Sequence, residues 1–270
     1  MPDRSSLAPM EATEFAIEKA FRHYLFALGL LISWAVLLLP LLALVWYTVF
    51  RDGMPDLKAL PPATMGALAL LGLGVLLASF SIETNWNRRI LLDERPSLIG
   101  RWRLDAPVWR YAMGVVVMLV VLALYAGAGA AVMMAAVPQL ATSLGATARP
   151  LGIVATVLIG LSGLFTFYRL MSWLAGLSVG ERDYGLATAW RTTRGNRFAF
   201  LGFTFWLLFT LAILGGLGAG AYFAQQSLPL PWVKPAAFAV IALLGWLALL
   251  VIHSVPAALY RAFRASAHCG

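Results

Sequence analysis

Two side chains in apolar stretches carry the groups of a nucleophile and its base. Ser162 stands in Gly160-Leu161-Ser162-Gly163, and His253 stands in the stretch LVIHSVP. A serine hydroxyl attacks a carbonyl when a histidine nitrogen within hydrogen-bond reach takes its proton and fixed donors stabilise the oxyanion. The other reactive types offer less. His23, His253 and His268 lack metal-ligand spacing, so no metal and no cofactor is expected. Cys269 is the single cysteine and reads as an incidental tail residue that cannot form a disulfide within one chain. Gly215, Gly216, Gly218 and Gly220 follow no strand, so they do not form a phosphate loop. Gly216 and Gly220 instead make a small-xxx-small pair for close helix packing, and the same packing accounts for Gly160 and Gly163.

The elements that must position these groups are membrane spans. Of 270 residues, 61% are hydrophobic and 12% charged, and the mean hydropathy is +0.82. Soluble domains carry roughly 25% charged residues, so this chain must place most of its surface in lipid. Six apolar stretches are long enough to cross: about 25–50, 63–82, 111–137, 151–173, 198–223 and 236–258. The first contains Pro40, which predicts a kink. No cleavable signal peptide is expected, because Glu11, Glu14 and Glu18 precede the first span. The fold class is therefore all-α: a polytopic membrane protein with about six transmembrane helices in a single domain. In that frame Ser162 lies about 12 residues, roughly 18 Å, below the external end of its span, and His253 about 17 residues, roughly 26 Å. A gap of about 8 Å is too long for a dyad unless the helices shift.

Charge fixes the orientation. The net charge is +8, from 20 Lys+Arg and 12 Asp+Glu, with 17 of the cations arginine. Sixteen basic residues fall on one side, in the N-terminal segment, the second and fourth connections and the C-terminal tail, against Arg51, Lys58, Arg149 and Lys234 on the other. By the positive-inside rule both termini are cytoplasmic, as an even number of spans requires. Anionic lipid headgroups, not nucleic acid, are the natural counter-charge.

The cytoplasmic connections read as short amphipathic helices. Thr13, Ile17, Ala20, Phe21 and Tyr24 fall on one face before the first span. Ser178 and Glu181 are spaced as a capping box, with Leu186, Trp190 and Thr193 lining one face and Gly195-Asn196 stopping the helix. Asp105 can cap a helix that has Pro107 in its first turn. Ala20-Phe21-Arg22, Val108-Trp109-Arg110 and Ala189-Trp190-Arg191 each precede a span, which suggests a threefold unit of basic helix and two spans. Recurrence of basic-aromatic helices at interfaces accounts for the same pattern. Trp34, Trp46, Trp86, Trp102, Trp109, Trp173, Trp190 and Trp232 fall mostly near interfaces and read as an aromatic belt. Glu83, Arg169 and His253 lie near cytoplasmic span ends, and no Asp or Glu sits mid-membrane, which weighs against an ion-coupled transporter. Glu83 beside Asn85, Asn87 and Arg88 is expected to be a satisfied interface pair.

The pairing of Gly-Leu-Ser162-Gly in the fourth span with His253 in the sixth resembles the dyad of rhomboid intramembrane proteases. That resemblance implies peptide hydrolysis within the membrane. The sequence departs from the family in its short first external loop without a Trp-Arg element, in the absence of a histidine from the second span and of glycines after His253. A second likeness rests on Trp86-Asn87-Arg88-Arg89-Ile90-Leu91-Leu92-Asp93-Glu94-Arg95-Pro96 and on residues 187–196, ATAWRTTRGN. These resemble bacterial six-span proteins similar to the membrane domain of some glycerophosphoryl diester phosphodiesterases. The catalytic barrel and its metal-binding carboxylates are absent, so the resemblance implies a non-catalytic membrane module, in a bacterial inner membrane. The leading expectation is a non-enzymatic protein that contacts lipids, and possible protein partners include other membrane proteins or a second copy. Its headgroup-contact candidates are Arg88, Arg89, Arg101, Arg103, Arg191, Arg194 and Arg197. A transporter or lipid-translocating role is the alternative, and the protease a more distant one.

Overall fold

A computed structural model describes residues 8–50, 61–97, 99–144, 148–227 and 232–267. Among these the chain is helical with no strand. His268 and Cys269, and the basic residues Arg4, Arg51 and Lys58, lie outside the described residues, as does the side chain of Arg149.

Six helices are long and apolar enough to span a membrane, which makes this a multi-pass membrane protein. They are α2 (Tyr24–Phe50), α3 (Pro62–Leu92), α4 (Ala106–Leu144), α5 (Ala148–Val179), α7 (Arg197–Ser227) and α8 (Val233–Ala267). Two short helices, α1 (Pro9–Arg22) and α6 (Leu186–Thr192), and a 3-10 turn at Ile99–Trp102 lie at the arginine-rich end. Most of the long helices run past the apolar stretches: α3 and α5 continue ten and six residues beyond 82 and 173. Packing within the protein covers most of both extensions, the polar one of α3 and the mainly apolar one of α5.

The long helices form three hairpins, α2–α3, α4–α5 and α7–α8. In each, the second helix is central, and α3, α5 and α8 touch one another. The element order of short helix then two spans recurs in the first and third hairpins, while the middle one is headed only by the 3-10 turn.

The core sits at one end. Buried apolar residues gather where Trp86 and Ile90, Tyr168, Phe200 and Phe203, and the stretch from Leu250 to Phe263 meet α1. Tyr168 stacks on Phe200 at 5.4 Å and meets Phe203 edge-on at 5.5 Å. Toward the other end large apolar side chains such as Val36, Leu70, Leu124, Leu158 and Phe223 are exposed, as lipid-facing surfaces must be.

Several local expectations change. The buried face of α1 is Ala12, Phe15, Ala16 and Ala20, packed on α7 and α8, while Phe21 and Tyr24 are exposed. The face is rotated because small residues let α1 approach closely, with Pro9 against Gly202. Ser178 and Glu181 are not a capping box. They belong to the end of α5, where Gly180 (φ 82°) turns the chain and the amides of Gly180 and Glu181 bond the carbonyls of Leu177 and Gly176. The α6 face that is buried is Ala189 and Thr193, with Leu186 and Trp190 exposed. Gly195 (φ 96°) does end that segment, at a conformation that favours glycine. Trp34 and Trp86 are interior residues, not belt residues, whereas Trp46, Trp109 and Trp232 are exposed.

Of the glycines expected to pack helices, Gly163 faces the Tyr125 ring, but a Cβ added at Gly160, Gly216 or Gly220 would meet open space. Close helix approach within the chain occurs instead at Gly114 beneath Leu174 and Leu177, Gly129 beneath Ile159 and Gly176 beneath Tyr184 and Tyr260.

Candidate functional site

The catalytic pairing is not assembled. The Ser162 hydroxyl bonds the Tyr125 hydroxyl and also donates to the Ile159 carbonyl. His253 directs Nδ1 to Glu83 Oε2 at 2.7 Å. Each group therefore has another partner, and among the described residues no hydrogen bond joins them. No group of three or more His, Cys, Asp or Glu could hold a metal among the described residues.

The polar chemistry lies at the arginine-rich end, in three regions. The first is closed on itself. From Ser81 to Ile90, α3 is buried on nearly every side although its sequence is polar. Asp93 adopts a left-handed conformation (φ 53°) and turns the chain back, a backbone that short polar side chains tolerate. Glu94 then becomes a hub. Arg88 donates Nε to its Oε2 at 2.7 Å, and Arg103 donates Nη2 to its Oε1 at 2.9 Å. Burial pushes the Glu94 carboxyl up, but hydrogen bonds from Arg88 and Arg103 outweigh it and hold the group below its ordinary value. Arg103 also reaches Asp105 at 2.9 Å, and Arg89 reaches Asp93 at 2.9 Å.

The 3-10 turn locks this region to the first hairpin. The Arg101 carbonyl accepts from Trp34 Nε1 (3.2 Å), Ser81 Oγ (3.3 Å) and Asn85 Nδ2 (3.3 Å). Its guanidinium bonds Ser33 Oγ at 3.3 Å, beside Gly29. Trp102 Nε1 donates to the Ser33 carbonyl at 3.0 Å. His23 packs beside this region. Burial first, then the charges of Arg89, Lys19 and Arg22, holds its imidazole below the ordinary value of 6.5.

The second region is open. Arg191, Arg194 and Arg197 are exposed, and none has a carboxylate partner among the described residues. Arg169 lies over the Trp190 ring at 4.4 Å and feels the like charges of Arg197 and Arg194. Its Nε is buried without a hydrogen-bond partner. Trp190 and Phe198 are exposed beside these cations, Phe198 at 87%. A cation patch flanked by exposed aromatic rings is the chemistry of a membrane–water interface.

The third region is a cavity of about 840 Å³ between α1, α3, α5 and α8. Ile90, Leu91, Leu92 and Val179 give it an apolar wall, and Lys19, Arg261, Arg264 and Glu181 line it with charge.

The seven arginines picked out by the sequence thus divide. Arg88, Arg89, Arg101 and Arg103 are bonded within the chain, and Arg191, Arg194 and Arg197 are open. Sequence reasoning missed Glu94 as a hub, Arg169 as part of the patch, and the convergence of Lys19 with Arg261 and Arg264. The i,i+3 spacing of Arg261 and Arg264 was a usable signal for the last pair. Compared with known proteins, the chain matches no family model, no curated protein and no solved structure.

Proposed function

We propose that this chain is a non-enzymatic protein of a bacterial inner membrane, with both termini cytoplasmic, that binds anionic phospholipid headgroups at its arginine-rich end. One observation carries this reading. Arg169, Arg191, Arg194 and Arg197 share one surface with Trp190 and Phe198, and no carboxylate of the described chain neutralises them. Charges so placed at the ends of membrane spans call for an external anion, and the headgroup layer supplies phosphate at that depth. The positive-inside distribution supports the orientation.

The test is thermal stabilisation of detergent-purified protein by phosphatidylglycerol against phosphatidylcholine. Replacing Arg191, Arg194 and Arg197 with Gln is expected to remove most of the difference between the two lipids. Full retention of that difference in a variant that melts normally would overturn the proposal.

A lipid-translocating role is the second reading, favoured by the Glu83–His253 pair within the spans and by the buried side chains of Thr84 and Asn87, whose polar atoms have no partner. It predicts that reconstituted protein accelerates flip of a labelled phospholipid. A rate equal to that of protein-free vesicles would eliminate it.

A further inference from the structure

The cavity at the arginine-rich end has a chemistry that the surface patch does not explain. Lys19, Arg261 and Arg264 face it with one carboxylate, Glu181. Glu181 lies 3.3 Å from Arg264. Lys19 has the exposed Glu18 at 3.2 Å. Arg261 has no carboxylate partner among the described residues, and its guanidinium lies over the Phe15 ring at 4.4 Å. Lys19 Nζ lies 5.4 Å from the centroid of the same ring. Two cations are therefore bracketed on one aromatic side chain, with a third a helical turn away on α8. Stacking occupies a face of the guanidinium and leaves its in-plane N–H groups free, and those donors recognise phosphate or carboxylate edge-on.

The other wall is hydrocarbon. Ile90, Leu91, Leu92 and Val179 line it, and Leu92 is 47% exposed, so the apolar surface continues outward. A free inorganic anion has no use for such a wall. The volume of about 840 Å³ far exceeds what one phosphate fills and lies among pockets for organic small molecules, roughly 300–1,000 Å³. The C-termini of α3 and α5 also end here, and their partial negative charge opposes an anion. At α5 it is largely answered: the carbonyls of Gly176 and Leu177 accept capping bonds, and the Val179 carbonyl accepts from Arg88 at 3.4 Å.

We propose that this cavity binds one anionic amphiphile, a phosphate or carboxylate head held by Lys19, Arg261 and Arg264 with an apolar tail along Ile90, Leu91 and Leu92. The site is separate from the Arg191, Arg194 and Arg197 patch and does not depend on it.

The test uses the full chain in phosphatidylcholine nanodiscs, titrated separately with oleoyl lysophosphatidate, oleate and inorganic phosphate. One amphiphile per chain is expected to bind, and whichever of the two binds tighter identifies the head. Arg261→Gln and Lys19→Gln are each expected to weaken it about tenfold. Arg261 is exposed and Lys19 is partly buried over Phe15, so melting temperatures near wild type are needed to show that both variants fold. Leu92→Glu, at a half-exposed wall position, adds a second carboxylate and is expected to abolish binding. The triple Arg191, Arg194, Arg197→Gln variant is expected to bind as wild type, so failure of the patch and failure of the cavity are read separately. Equal affinity of wild type and the cavity variants, saturation at many molecules per chain, or inorganic phosphate binding as tightly as the amphiphiles would overturn the proposal.

Discussion

The second and fourth connections are both arginine-rich, yet most of their arginines have opposite fates. In the segment from Asp93 to Asp105 the acids sit among the arginines, so Arg88, Arg89 and Arg103 close onto Asp93, Glu94 and Asp105. In residues 180–196 acids are present as well, but they face elsewhere: Glu181 meets Arg264 from α8, and Asp183 is exposed. Its arginines are left open. Basic counts thus report which side of the membrane a loop occupies, whereas the placement of acids decides which arginines can meet a ligand.

The largest effect is expected from Glu94→Gln. It leaves Arg88 and Arg103, both 18% exposed at the side chain, without their shared carboxylate. A loss of about 3 kcal/mol is expected, read by denaturation in micelles. A neutral outcome would mean that the closed region is not held by its hub. Next comes the triple Arg191, Arg194, Arg197→Gln variant. Its stability is expected to stay within about 0.5 kcal/mol, while its anionic-lipid affinity falls by roughly 2 kcal/mol, or about thirtyfold, after screening.

Gly195→Ala follows, at about 1 kcal/mol, because φ of 96° is strained for any side chain. The pH response is smaller. The Glu94 carboxyl lies below its ordinary value of 4.5. Its contribution is complete above that value and fades as pH falls through the depressed one. Acid melting curves should show this fading in wild type and lack it in Glu94→Gln. The smallest effect is expected at Gly216→Ala and Gly220→Ala, where open space surrounds both positions. Their stability should move by less than about 0.5 kcal/mol, and a large loss would show that this face is packed in the native membrane.

The spans were legible because lipid imposes one rule on every residue of a long stretch. The paired connections were not, because a one-dimensional reading ranks arginines by type and Glu94 changes their meaning only when Asp93 reverses the chain. The convergence of Lys19 with Arg261 and Arg264 cannot be read along the chain, since the cavity brings together segments more than two hundred residues apart. The glycines failed for a related reason. Gly216 and Gly220 have the packing spacing, but helix approach is set by which face meets a neighbour, and that face in α4 and α5 carries Gly114, Gly129 and Gly163.

The docking of α1 on the last hairpin has a consequence for biosynthesis. α1 leaves the ribosome long before α7 and α8 have been made. Its apolar face, Ala12, Phe15, Ala16 and Ala20, lacks its main partners until that final pair inserts. Until then a nascent chain must rest this helix on the bilayer surface or hand it to a chaperone. Translation stalled after α5 would leave the helix accessible to proteases, and protection of α1 would report that the last hairpin has arrived.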